Sequence, residues 1–450
     1  MARPKLSAAR SVPFLGYLAI HAVVVVGLAT MRTATSAEYL RLDLTGRQPR
    51  LWTVPLFYKV LPSDSLRIAG QVVLAAALWW VLASVASSMV HDRRVRVGLR
   101  LVILALGLAG PIAQWNSAIG DEAVTISLTA LLIAMWLLYV QRPHVASAVG
   151  VVTATIFWTF TRQDHVIMGA LVAAVVVVFV ARTFVKKAPR RGPTAFLAIA
   201  LVVVSALGFV TASRNHSLAK VNVTAIIARR VLPNPSYTSW FVSHGMPDTP
   251  AIQSHVNGVP EELGTDPDFA KWVDAHGEHT YVQFLVTHPG YTLGHPLPFI
   301  SGEQPSLFVP AGTPVSPDPT PSFVSPNANW ARHREVLPRF LQDLLFTPGQ
   351  SADVISLAVV AIGLAVVAHR RKVADRRLLV PFVVFATVVP HVYLVWLTSA
   401  TELNRHALII AVSLRIALWL IAAFALDALL VAPPAQDGMT TAGMSRAGDA

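Results

Sequence analysis

Residues 68–90 read IAGQVVLAAALWWVLASVASSMV, and residues 91–96 follow with HDRRVR. The first stretch holds 23 residues without a charge, which as a helix would run about 35 Å, enough to cross a hydrocarbon layer about 30 Å thick. The arginines that follow mark the end that stays on the cytoplasmic side. Working outward, similar apolar runs lie near 11–30, 97–115, 123–140, 145–161, 166–181, 195–212, 351–368, 378–398 and 407–432. The chain therefore reads as an all-α polytopic membrane protein with about ten transmembrane helices.

Composition agrees with that reading. The 450 residues are 54% hydrophobic and 13% charged, against about 25% charged in an ordinary soluble domain. Placing the N-terminus inside leaves only Asp92, Asp375, Asp437 and Asp449 among the acids of the inner segments. The basic clusters Arg93-Arg94-Val95-Arg96, Lys186-Lys187 to Arg190-Arg191 and Arg370-Arg371-Lys372 fall on the same inner side, as the positive-inside rule requires. The net charge of +12 thus sets orientation and meets anionic lipid headgroups; it does not point to nucleic acid. No cysteine is present, which excludes a disulfide framework and thiolate metal sites. The first span follows Arg3, Lys5 and Arg10 with no small-residue cleavage pattern after it, and is read as a retained anchor.

The expected organisation is an N-terminal transmembrane module over 1–212 with a long first outer loop at 31–67, an extracytoplasmic region at 213–350, C-terminal transmembrane helices over 351–432, and a cytoplasmic tail at 433–450. Within the large outer segment, 216–232, 266–287 and 330–346 read as helices, whereas 301–327 is rich in proline and reads as an irregular loop. The inner loops are too short for a nucleotide-binding domain, and no G-x-x-x-x-G-K-[ST] loop occurs. An ATP-driven pump and an enzyme fed by cytosolic nucleotide sugars are both disfavoured.

Polar groups gather at the outer ends of the spans. Loop one holds Glu38, Tyr39, Asp43, Arg47 and Arg50; loop two holds Gln114, Trp115, Asn116, Asp121 and Glu122; loop three is Arg162-Gln163-Asp164-His165; the last is Glu402-Leu403-Asn404-Arg405-His406. Taken singly, each cluster is an ordinary interfacial turn. Four acid-plus-base clusters on one face can instead converge on one cavity. Arg415 lies near mid-membrane, where an unpaired arginine costs on the order of 3 kcal/mol; backbone carbonyls of a neighbouring helix or a ligand phosphate are its two expected partners. Asp427 is placed near the inner boundary and expected to hydrogen-bond there, and His21 and His391 are read as satisfied core histidines, with Pro390 suggesting a kink.

Several of these stretches resemble the glycosyltransferase-C superfamily of polytopic membrane enzymes. They are Ser36-Ala-Glu38-Tyr39-Leu-Arg41-Leu-Asp43 leading to Gly46 and Leu51-Trp52-Thr-Val-Pro55, then Trp115-Asn116-Ser117, Thr161-Arg162-Gln-Asp164 and Glu402-x-x-Arg405-His406. Arg229-Arg230-Val-Leu-Pro233 and Gly245-Met246-Pro247 look like actinobacterial members in particular. The resemblance implies a transferase in the cell membrane, with both termini cytoplasmic and an active site outside. It would move a sugar, with inversion, from a polyprenyl-phosphate donor to a cell-envelope glycan, lipid or protein acceptor. Relatives often carry an aspartate three or four residues before the loop-one tyrosine; here Thr35 and Ser36 stand there. The base role then falls to Asp43 or Glu38, with Asp43 favoured because Arg41 and Arg47 flank it.

An acceptor hydroxyl must lose its proton as it attacks, which a carboxylate can accept, while a phosphate leaving group needs positive charge. Arg162, Asp164, Glu402, Arg405 and Arg415 are the expected substrate-binding residues. Asp121 and Glu122 are expected to hold a divalent cation, Mg or Mn, if one is used. The alternatives are a transporter or flippase of a lipid-linked glycan, which should concentrate polar groups at mid-membrane in broken helices, and a non-catalytic membrane scaffold.

Overall fold

The computed structural model describes residues 8–26, 28, 30–32, 36–45, 48, 50–185, 191–214, 216–298, 336–346, 351–369, 375–400 and 403–431. The first half begins with α1 (Ala8–Val25), α2 (Ser36–Tyr39), α3 (Thr53–Lys59), α4 (Asp64–Ser88), α5 (Arg93–Leu108) and α6 (Gly110–Ala113). It continues with α7 (Glu122–Gln141), α8 (Val145–Thr159), α9 (Gln163–Val185) and α10 (Arg191–Ala212). Six described stretches are long and apolar enough to cross a membrane: Asp64–Ser88, Glu122–Gln141, Gln163–Arg182, Gly192–Ala212, Arg376–Thr398 and Arg405–Leu430. Val12–Val25, Val145–Thr159 and Val354–His369 are shorter apolar helices.

The stretch expected as one span over 97–115 is not one helix. α5 ends at Leu108, Ala109 leaves the helical region at ψ 138°, and α6 restarts with proline in its first turn. Proline has no N–H to continue the ladder, so the chain turns here and delivers a buried 3₁₀ turn at Gln114–Ser117. Near the same end of α5, Gly107 lets the backbone approach its neighbours. A Cβ there would meet the Tyr17 hydroxyl at 2.6 Å and the Trp79 ring at 2.7 Å.

α11 (His216–Ile226), α12 (Pro235–Ser243), α13 (Pro250–Gln253), α14 (Pro260–Leu263), α15 (Pro267–Trp272) and α16 (Glu278–Thr287) follow, with π-helical turns at Ile227–Val231, Val273–Gly277 and Gly290–Gly294. The helical expectation for 216–232 and 266–287 holds there. α12, α13 and α14 went unread because each is short and opens on a proline, a residue that also marks turns. The proline-rich 301–327, the tail and the basic residues at 186–190 and 370–372 lie outside the described residues. The chain closes with α17 (Arg339–Phe346), α18 (Ser351–His369), α19 (Leu379–Thr398) and α20 (Leu403–Leu430).

α4 packs on α1, α5 and α7; α7 reaches α8 and α20; α20 is flanked by α18 and α19. The main core runs through Trp79, Leu82, Ile103, Leu106, Leu137, Ile416 and Phe424. A second core joins the 216–296 segment to the C-terminal helices, with Ile226, Phe241, Phe269 and Phe284 against Val392, Val395, Ile410 and Leu414. Polar hooks fix this joint. The last carbonyls of a helix have no intrahelical partners, and at the end of α19 they are taken by Arg230, which donates to Trp396 O and, at 2.7 Å, to Ser399 O, and by the Tyr281 hydroxyl at 2.7 Å from Leu397 O.

Asp427 behaves as its position suggested. Fully buried, it accepts from the His91 and Asp92 amides at 2.9 and 2.7 Å and from Arg377 at 2.6 Å, tying the start of α5 to α20. His21 does not. It is buried against the Tyr17 ring, and neither ring nitrogen has a hydrogen-bond partner among the described residues.

Candidate functional site

At the end of the bundle where α7 and α9 begin, loop two is held in place by buried side chains. Ser36 Oγ donates to Ile119 O at 2.6 Å, and Tyr58 donates to Gly120 O at 2.7 Å. Gln71 Nε2 reaches Asn116 O at 3.2 Å and Ala118 O at 3.0 Å. A buried irregular segment must have its carbonyls satisfied, and these three side chains do that. A two-residue parallel pairing adds to the seam: β1 (Met31–Arg32) runs beside β2 (Ala118–Ile119), with Met31 opposite Ala118. Loop one and loop two are thereby one unit, and Asp121 and Glu122 are fixed at the start of α7. Carboxylates at a helix N-terminus are favoured by the aligned peptide dipoles, and Asp164 in the first turn of α9 repeats the arrangement.

Four connecting segments bring charge together. Arg162 is shared between Asp121, at 3.2 Å, and Asp164, at 3.0 Å, and also contacts His406 Nδ1. Arg405 Nε stands 2.6 Å from Glu122 Oε1, a charge contact out of line for a hydrogen bond. Arg50 pairs with Glu38 at 2.8 Å and lies over the Tyr39 ring, its guanidinium carbon 4.7 Å from the centroid. Asp121, Glu122, Arg162, Arg405 and Tyr39 are all buried. Glu122 folds back over Gly120, where a Cβ would press on its Oε2 and displace that side chain.

Burial alone would push the Asp121 carboxyl up. The guanidinium of Arg162, then those of Arg405 and Arg50, overcome it and hold the carboxyl below the usual carboxylate range. Burial pushes the Tyr39 phenol above its ordinary value, so it stays a neutral donor. Asp121 Oδ1 and the Tyr39 hydroxyl are among the polar atoms of this cluster that have no hydrogen-bond partner among the described residues.

The structure sorts the expected residues. Asp121, Glu122, Arg162, Asp164 and Arg405 come together, and Glu38 joins at the rim through Arg50. Asp43 does not join through any contact shown: its carboxylate is taken up by its own loop, accepting from Thr45 N and Oγ1 at 2.7 Å each and from Gln48 N at 3.1 Å. The helix that carries Glu38 stops at Tyr39, so Asp43 lies beyond it. Glu402 and Arg47 lie outside the described residues. Arg415 is buried ten residues beyond Arg405, about 15 Å along the helix and away from the cluster, and donates to Ala411 O of its own helix at 3.4 Å, where a carbonyl of a neighbouring helix was expected.

His391 was missed. Its Nε2 lies 2.9 Å from Asp164 Oδ2, a pairing across 227 positions that no local pattern announces. The neighbouring proline drew the reading toward a kink. Gln71 was passed over as a site-forming residue, since its partners are fixed only by the fold.

Asp121 and Glu122 fit a divalent ion poorly. Three guanidiniums bear on Asp121, and Arg405 already faces Glu122, so a dication would enter a place where positive charge is already supplied. No protein-family model, curated protein or solved structure matches the chain. Fold and site together define an all-helical protein of membrane type with a buried, charged cluster at one end of its bundle.

Proposed function

We propose that the chain is a membrane glycosyltransferase of the glycosyltransferase-C kind, crossing the bilayer about ten times. It transfers a sugar from a polyprenyl phosphate to an extracytoplasmic acceptor hydroxyl. The observation that carries this reading is the pair of buried, unpartnered polar atoms, Asp121 Oδ1 and the Tyr39 hydroxyl, set among Arg50, Arg162 and Arg405. Buried polar groups are almost always paired, so an acceptor and a donor left open side by side with guanidiniums suit a polar guest.

In the reaction the acceptor oxygen bonds to the anomeric carbon as the bond from that carbon to the phosphate oxygen breaks, inverting the centre. A carboxylate takes the acceptor proton, and guanidinium charge stabilises the departing phosphate. Glu38 is the loop-one carboxylate suited to the base role, because its side chain is 37% exposed and linked to the cluster through Arg50. The test is product formation by the purified protein in lipid nanodiscs with a panel of polyprenyl-phosphate sugars and acceptor glycans. Transfer from at least one donor is expected; none from any donor would remove the enzyme reading.

One observation favours a second reading. Each guanidinium of the cluster already has a protein carboxylate beside it, as in an ion-pair lock that holds a non-catalytic scaffold together. A scaffold would show no turnover and would lose its shape when the pairs are broken.

A further inference from the structure

Beside the proposed transfer site, at the α9–α19 contact, stand Asp164, His165 and His391. One ligand atom from each lies within 4.8 Å of those of the other two. His165 is fully buried, its ring stacked on Trp158 at 3.9 Å between centroids. Its Nδ1 lies 3.1 Å from Trp158 O and 2.9 Å from Thr161 Oγ1, and Thr161 itself donates to Trp158 O at 2.7 Å. A carbonyl only accepts, so Nδ1 carries the proton and Nε2 carries the lone pair. That Nε2 is buried and has no hydrogen-bond partner among the described residues. A histidine whose far nitrogen is pinned by a backbone carbonyl and a hydroxyl is built as a metal ligand is built.

The geometry points to a binding site for one first-row transition dication of the zinc class, ligated by Asp164, His165 and His391. Asp164 Oδ1 is held by Arg162 at 3.0 Å, which leaves Oδ2 for the ion. His391 Nε2, now against that Oδ2 at 2.9 Å, ligates in its other tautomer, with the proton on Nδ1. Ligand atoms around a tetrahedral zinc stand about 3.4 Å apart, given bonds of about 2.0–2.1 Å, so side-chain rotations of about 1 Å close the site. Two imidazoles and a carboxylate favour zinc or its neighbours over magnesium. The contrast with Asp121 is electrostatic: three guanidiniums act on that carboxylate, whereas Arg162 is the arginine acting on Asp164 and its charge is shared with Asp121. Three protein ligands leave a fourth position open. The ion would tie the start of α9 to the middle of α19.

The chelator-treated protein is titrated with Zn²⁺ alone, and with Co²⁺ for its visible spectrum, with no sugar present. One tight equivalent is expected, with a tetrahedral-type cobalt spectrum. His165→Ala and His391→Ala should each lower affinity more than 100-fold. Thr161→Val, which removes the hydroxyl partner of His165, should lower it about 10–100-fold. His288→Ala and His276→Ala, on the 216–296 segment, should leave the tight equivalent intact. X-ray absorption at the zinc edge of the unmodified protein should report two imidazoles and oxygen ligation, which decides the matter even where a variant fails to fold. Absence of a tight equivalent, or its survival in both His165→Ala and His391→Ala, would overturn the site. Metal binding is read without turnover, so either result leaves the transfer chemistry to its own test.

Discussion

Asp121 shows how one residue's surroundings set its contribution. A free aspartate titrates near pH 3.9, and in the fold Arg162, Arg405 and Arg50 hold Asp121 below that against the opposing effect of burial. A lowered folded value means that its stabilisation is complete above about pH 4 and fades as pH falls below that. Breaking a buried ion pair by removing one partner costs about 3–5 kcal/mol, so Asp121→Asn should lower the thermal midpoint clearly at neutral pH. The gap between wild type and variant should narrow from about pH 4 downward. Melting curves in detergent across the acid range check this; an equal gap at both ends would mean that Asp121 is not the titrating partner. At this scale the sequence was half legible. Outer acids and arginines could be named from their positions at span ends, whereas the pairing of His391 with Asp164, the seat of Arg50 over Tyr39 and the local capture of Asp43 by Thr45 and Gln48 depend on distances that only the fold sets.

At the scale of elements, hydropathy identified the long apolar helices, because an uncharged run of about 20 residues has few uses other than crossing a bilayer. It failed at α5, where a run of apolar residues concealed the break at Ala109 and the buried turn that follows. That turn leads through β2 and Gly120 to Asp121 and Glu122. Gly120→Ala presses a methyl on Glu122 Oε2, so the Glu122 side chain must shift from its position beside Arg405. Destabilisation of about 1–3 kcal/mol is expected, the usual range for overpacking. A double-mutant cycle with Glu122→Gln should show the two changes to be non-additive. Additive effects would place the strain elsewhere.

For the whole molecule, the asymmetry of charge predicts that both termini and the 186–187 loop face the cytoplasm while 213–350 faces outward. The absence of native cysteine makes labelling clean. An impermeant maleimide should modify Ser254→Cys and Ser316→Cys on intact cells, and Lys187→Cys only after lysis; the reverse pattern would invert the topology. The charged cluster would then lie at the outer face. The measurement that bears most directly on the account is turnover of a polyprenyl-phosphate sugar by the pair Glu38→Gln and Asp43→Asn, each preserving size while removing charge. Glu38→Gln should lower turnover by roughly 10²–10⁴-fold, the contribution of a general base, with donor binding retained, whereas Asp43→Asn should change turnover little. Near-normal transfer by Glu38→Gln would contradict the account.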